Sequence, residues 1–153
     1  ATSAHADWKF TKWNMKLSDV LKASDGKAYE VKGRKGQRVG KLRVMATMPI
    51  TQNGVPLIAE LYFDSPAKRL RMVRYKTAAD MSCPDQRAVF KQLFGPGLDS
   101  QHDLKFEADA KRVPVTVDTT DWHGDNSDLM SFSSVSVGAQ PGLECTLVIK
   151  APQ

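Results

Sequence analysis

The sequence predicts an α+β fold: an antiparallel sheet of about seven strands, in the order α-βββ-α-ββββ, with the helices packed on one face. Three observations carry this expectation. Apolar residues recur at helical spacing in two places only, around Leu17 and around Val89. Most of the remaining apolar residues alternate with polar ones, and turn residues break the alternation into strand-length pieces. The connections between successive strands are too short for the crossovers that parallel strands require.

The elements follow in order. Trp13 to Ser24 reads as a short helix, because Leu17, Val20 and Leu21 fall at i, i+3 and i+4 on one face. Asn14 is its candidate N-cap and Asp25-Gly26 its stop. Residues 25–38 are rich in Gly and Lys and read as an exposed loop. Val39 to Ile50 alternates Leu42, Val44, Ala46 and Met48 with Lys41, Arg43 and Thr47. Gln52-Asn53-Gly54 is a hairpin tip, Val55 to Phe63 a second strand, Asp64-Ser65-Pro66-Ala67 a turn and Arg69 to Lys76 a third strand.

Cys83 to Phe94 is the clearest helix. Pro84 stands in its first turn, Asp85 at its positive end, Val89/Leu93 and Phe90/Phe94 form i, i+4 pairs, and Gly95-Pro96 stops it. After a polar linker come strands at Leu104–Ala108, Val113–Asp121, Leu129–Val137 and Cys145–Lys150. Pro114 argues for an edge strand, and Gly124-Asp125-Asn126 and Gln140-Pro141-Gly142 supply turns. The boundaries expected are a flexible end at 1–7 and one α+β domain at 8–153, with pseudo-repeats at 8–80 and 81–153 as a weak duplication at the level of elements.

The 153 residues suffice for a core without a metal or a dense disulfide framework. Charged residues are 25% and hydrophobic residues 41%, which places the chain among globular rather than disordered sequences. No apolar run is long enough to span a membrane as a helix. Small residues spaced as Ala4-x-Ala6 suit signal-peptidase cleavage, so the expectation is a periplasmic or secreted protein once preceded by a signal peptide. In such a compartment Cys83 and Cys145, the only two cysteines, are expected to form a disulfide; without a C-x-x-C they suit neither zinc nor a thioredoxin-type pair.

Anchors along the chain also resemble a group of uncharacterised exported bacterial proteins. Trp13-Asn14-Met15 leads into a helix ending Lys22-Ala23-Ser24. Leu61-Tyr62-Phe63-Asp64 and Arg69-Leu70-Arg71-Met72-Val73 resemble the group's hairpin. Cys83 opens a helix ending Leu93-Phe94-Gly95-Pro96, and Trp122 precedes Cys145-Thr146-Leu147. The order of these short anchors carries the likeness. The resemblance implies a helix–sheet arrangement similar to the β-lactamase inhibitory protein and to the small lipoprotein of the outer-membrane barrel assembly machinery, and hence an inhibitor-like fold rather than a particular activity. In this chain Lys16-Leu17 replace the group's helix-capping Ser-Pro, and the basic loop at 27–43 falls outside the pattern.

Charge is unevenly placed. Residues 1–80 carry 16 Lys/Arg against 7 Asp/Glu, while residues 81–153 carry 6 against 10. The basic residues cluster at 27–43 and 68–76. With the alternation described, Arg34, Lys35, Arg38, Lys41, Arg43, Arg69 and Arg71 are expected to form one positive face opposite the helices, suited to an acidic partner. An ordinary solvated face is the competing reading. Tyr29 and Tyr75 are the only aromatics near these residues, which disfavours nucleic acid as the partner.

Catalytic signatures are weak. Asp121, His123 and Asp125 would be the residues of a hydrolase, and the segment around them is dense in oxygen ligands, but it lacks the register of an EF-hand loop. Gly33-Arg34-Lys35-Gly36 lacks the Gly-Lys-Ser/Thr ending of a phosphate loop. The sequence therefore points to a non-enzymatic binding protein with no cofactor and no metal. The expected partner is an unknown protein of the cell envelope, met through the sheet face or loops, with an anionic polymer or surface as the alternative. Trp13 and Trp122 are expected to pack under the sheet.

Overall fold

The computed structural model describes residues 11–32, 37–108, 111–123, 128–138 and 140–150. Two helices, α1 (Leu17–Ala23) and α2 (Cys83–Phe94), accompany nine antiparallel strands. The strands are β1 (Tyr29–Glu30), β2 (Arg38–Val39), β3 (Leu42–Gln52), β4 (Val55–Phe63), β5 (Leu70–Thr77), β6 (Leu98–Ala108), β7 (Lys111–His123), β8 (Leu129–Val137) and β9 (Gln140–Lys150). Their order in the sheet is β1-β3-β4-β5-β9-β8-β7-β6, with β2 also on β3. No described helix is long and apolar enough to cross a membrane.

The α+β expectation holds, and the strands exceed the seven expected. β1 lies in the segment read as a loop, while β2 joins the end of that segment to Val39, the expected start of a strand running to Ile50; the turn at Gly40-Lys41 separates it from β3. β1 pairs with Ala46 and Thr47, and β2 with Leu42 and Arg43, so both lie along the same edge of β3. They are two pieces of one interrupted edge strand, each too short to show a period in sequence. Residues 33–36, with Arg34 and Lys35, lie outside the described residues.

Turn chemistry sets the hairpins. Asn53 and Gly54 both have positive φ, 47° and 83°, as a tight turn matching strand twist requires. Gly40, at φ 59°, opens the two-residue turn from β2 to β3. The polar linker after α2 is mostly strand, because β6 starts at Leu98 rather than Leu104. Gln140-Pro141-Gly142 belongs to β9, and the turn sits instead at Gly138, φ 57°.

β7 is not an edge strand, contrary to the reading of Pro114, since it lies between β6 and β8. Its ladder to β8 starts only at Val115↔Val137, and the Pro114 carbonyl accepts from the Gly138 amide in the turn. The N and C=O of a strand residue face the same side, so the missing proline donor falls beyond the end of β8 and breaks no ladder bond.

α1 starts later than expected. Asn14 is no cap: it sits at φ 70° and its amide donates to the Leu70 carbonyl. Lys16 is the N-cap and offers no side-chain bond. The stop is better made, for Ser24 Oγ donates to Leu21 O at 2.7 Å and accepts from the Ala28 amide at 3.2 Å. In α2, Ser82 caps the Asp85 amide and Gly95 ends the helix.

Both helices pack on one face of the sheet. Leu17 and Val20 of α1 and Phe90 of α2 join Leu61, Phe63, Val73, Phe132 and Leu147 in the main core. Phe90 meets Phe132 at 5.4 Å between ring centroids, and Phe94 meets Trp122 edge-on at 5.9 Å. Trp122 is buried and donates to Gly95 O; Trp13 is partly buried on the same core and donates to Asp128. The Cys83 and Cys145 sulfurs lie at disulfide distance, Cα 5.7 Å apart, joining the start of α2 to β9.

Two bulges decide which residues face the helices. In β3 the register shifts between Val44 and Ala46, and in the β4–β5 ladder between Tyr62 and Phe63. One extra residue reverses the facing of everything beyond it. Ala46 and Met48 therefore face the helices, while Leu42 and Val44 join Tyr62, Met72 and Val148 in a smaller cluster on the other face. On β5, Leu70, Val73 and Tyr75 face the helices, and Met72, Arg74 and Lys76 face away.

Candidate functional site

The helix-free face of the sheet holds the most developed polar arrangement. Arg74 is fixed at its centre: Nε donates to Thr146 Oγ1 and Nη1 donates to Tyr62 Oη, each at 2.9 Å. The guanidinium also lies over the Tyr62 ring, 5.7 Å from its centroid. Three adjacent strands, β4, β5 and β9, thus hold one cation in place. Burial raises the Tyr62 pKa above its ordinary value, against the lowering effect of Arg74.

Beside this cluster stands Glu60, opposite Arg74 in the ladder and only 12% exposed at its side chain. Lys76 Nζ approaches Glu60 Oε2 at 3.4 Å, while Oε1 is buried with no hydrogen-bond partner among the described residues. Next to Arg74 the face dips into a trough of about 230 Å³ lined by Leu129, Ser131, Ser133, Thr146, Val148 and Lys150. The trough exists because strands β8 and β9 place short side chains, three of them hydroxyl-bearing, side by side on this face: Ser133 pairs with Thr146, and Ser131 with Val148. Exposed Leu129 sits at one of its ends, and exposed Ile58 lies farther across the face on β4.

A second hollow, of about 630 Å³, runs between α2 and strands β6–β8. Arg87 bridges it, donating to Thr120 Oγ1, Asp118 O and Ser134 Oγ, with its guanidinium 4.9 Å from the Phe132 ring centroid. Thr120 donates on to Asp99 Oδ1, and Lys91 pairs with Asp99 Oδ2 at 2.8 Å. The Lys91 ammonium, then the Thr120 hydroxyl, hold the Asp99 carboxyl below its ordinary pKa. Lys91 and Asp99 pair, Arg87 is satisfied by hydroxyl and carbonyl acceptors, and the hollow reads as the seam that locks α2 to the sheet.

The expected single basic face is not what the described residues form. Arg43 pairs with Phe63, a helix-side core residue, and so faces the helices. Arg38, its partner on β2, shares that side. Lys41 lies in the turn between them and is exposed. Arg71 sits at the β5 irregularity, with Nε on Asp64 Oδ2 at 3.1 Å and Nη1 on Asn14 Oδ1. Arg69 Nη1 donates to Asn14 O. Asp64 is held below its ordinary pKa, first by the Arg69 amide and then by Arg71. What gathers these residues is an end of the sheet, where β2–β3 and β4–β5 turn.

Asp121 and His123 lie on alternate positions near the end of β7, half-buried and exposed respectively, and Asp125 lies outside the described residues. Among the described residues no three His, Cys, Asp or Glu side chains gather as a metal site would require. Sequence reasoning missed Glu60, Tyr62 and Arg74 as a group. The two-residue spacing of Glu60 and Tyr62 on β4 was legible, but the irregularity that turns Arg74 toward Tyr62 was not. No known family model, curated protein or solved structure matches the chain.

Proposed function

We propose that this chain is a non-enzymatic binding module that docks a partner protein on the helix-free face of its sheet. The observation that carries the reading is the trough beside Arg74. A small concavity with hydroxyl walls, an apolar residue at its end and a pre-fixed arginine suits one large anchoring side chain of a partner, the kind of centre on which interfaces depend. Arg74 is already oriented by Tyr62 and Thr146, so little side-chain freedom is lost when it contacts a partner.

An exported location is part of this proposal. The cysteine pair at disulfide distance is compatible with an oxidising compartment. The resemblance to exported bacterial proteins, and through them to an inhibitor-like fold, supports the reading at the level of fold. The partner would be a protein of the cell envelope.

The test is capture from an envelope fraction with the whole chain, compared with Ser133→Arg, which fills the trough, and Lys27→Ser, an exposed change elsewhere. The reading expects a partner retained by the parent chain and by Lys27→Ser but lost with Ser133→Arg, at both low and high salt. Capture that survives Ser133→Arg, or that vanishes with moderate salt in every chain, counts against it.

A further inference from the structure

We propose that the basic end of the sheet contains an oxyanion site, centred on Arg38 and Arg43, that takes a phosphate group. This goes beyond the sheet-face reading and stands on different residues.

Arg38 and Arg43 are register partners of the β2–β3 hairpin, so their side chains leave the same face within a few ångströms of each other. Two like charges placed directly opposite destabilise a hairpin. No carboxylate compensates them among the described residues, for neither makes an ion pair there. Arg43 is half-buried, and its Nε is buried with no hydrogen-bond acceptor among the described residues. A guanidinium keeps its charge at any ordinary pH, so this donor cannot be relieved by losing a proton. Leaving it unpaired costs free energy, and an acceptor drawn to the rest of the guanidinium would offset that cost.

The surroundings make that acceptor an anion. Exposed Lys41 forms the turn beside the pair, and exposed Lys68 and Arg69 stand in the neighbouring β4–β5 turn. Asp64, the carboxylate of that turn, is already engaged by the Arg69 amide and by Arg71. Planar, forked arginine donors match the oxygens of a phosphate, and two of them with a lysine at hand match a charge greater than that of one carboxylate. The phosphate could be free or carried on a polymer; the chemistry at the two arginines is the same.

The experiment follows thermal unfolding of the whole chain at constant ionic strength, in chloride, acetate, inorganic phosphate and long-chain polyphosphate. The variants are Arg43→Met, Arg38→Ser and, as a control of equal charge loss, Lys27→Ser. Phosphate or polyphosphate should raise the melting temperature of the parent chain and of Lys27→Ser above that in chloride or acetate. Arg43→Met should melt higher than the parent in chloride, because the unpaired buried donor is gone, and should show no phosphate shift. Arg38→Ser, an exposed change that leaves the fold intact, should weaken the apparent affinity by about tenfold. A shift with inorganic phosphate identifies the free ion as the ligand; a shift with polyphosphate alone identifies a polymer. Equal melting in all four salts, a shift with acetate as large as with phosphate, or a phosphate shift undiminished in Arg38→Ser overturns the proposal.

Discussion

Arg74 shows how much a single side chain depends on its neighbours. Its two hydrogen-bond partners are neutral hydroxyls, on strands far apart in sequence, and its charge lies over an aromatic ring. Tyr62→Phe removes one of those acceptors and leaves the ring. The expected loss is about 1 kcal/mol, measured by the midpoint of urea unfolding with an unchanged slope. Asp64 makes a pH prediction. Its folded pKa lies below the unfolded value near 4, so the unfolded chain takes up the proton first as pH falls. The stability contributed by Asp64 is present above that value and is lost as pH drops through it toward the folded pKa. Asp64→Asn should flatten the acid limb of the stability–pH curve, and a limb unchanged by the substitution would show that Asp64 does not contribute to it.

At the scale of elements, the junction of α2 and β6 is the tightest point. Gly97 has φ 65°, and a Cβ there would lie 2.7 Å from Thr120 Cγ2 and 2.9 Å from Trp122 Nε1. Both the backbone and the space demand glycine. Gly97→Ala is expected to cost about 2–3 kcal/mol, read from the urea midpoint, with weakened near-ultraviolet signal from Trp122. α2 itself is held by Phe90, fully buried against Phe132, and Phe90→Ala should cost about 3–5 kcal/mol. The interrupted strand β1/β2 does a different task. It covers part of the β3 edge with short, charged pieces, which discourages pairing with another chain.

At the scale of the whole molecule, a cross-link between the start of α2 and β9 spans 62 residues of chain and encloses β6, β7 and β8. Closing so long a loop restricts the unfolded state, and the chain-entropy model puts the stabilisation at about 4 kcal/mol. Cys83→Ser with Cys145→Ser should therefore lower stability by about that amount, and thiol titration of the unfolded, unreduced parent chain should find no free thiol. Two reactive thiols would show that the cross-link is not formed in solution. The two halves of the chain each run helix then strands, yet they share one sheet through β5 and β9, so the cross-link acts within a single core rather than between separate units.

Period, turn chemistry and helix punctuation were local enough to be read from the residues in order. The limits of β4, β8 and α2 and the Asn53-Gly54 turn follow from them, while the approach of Cys83 to Cys145 was expected from the cysteine count and the compartment. The short pieces β1 and β2 were not legible, because two residues cannot display a period and are strands only by virtue of pairing with β3. Nor were the faces. Leu42, Val44, Ala46 and Met48 look like one apolar row, and the shift after Val44 divides them between opposite sides. The same kind of shift on β5 turns Met72 and Arg74 away from the helices. An extra residue in a ladder changes no composition and breaks no local rule; it exists only relative to the strand alongside. The sequence alone therefore determined the helices and the cores of the longer strands, while tertiary pairing decided the short edge pieces and which side each charge occupies. That is why the basic residues were visible as a cluster in the chain, and why only the folded sheet shows them gathered at one end, with Arg38 and Arg43 side by side.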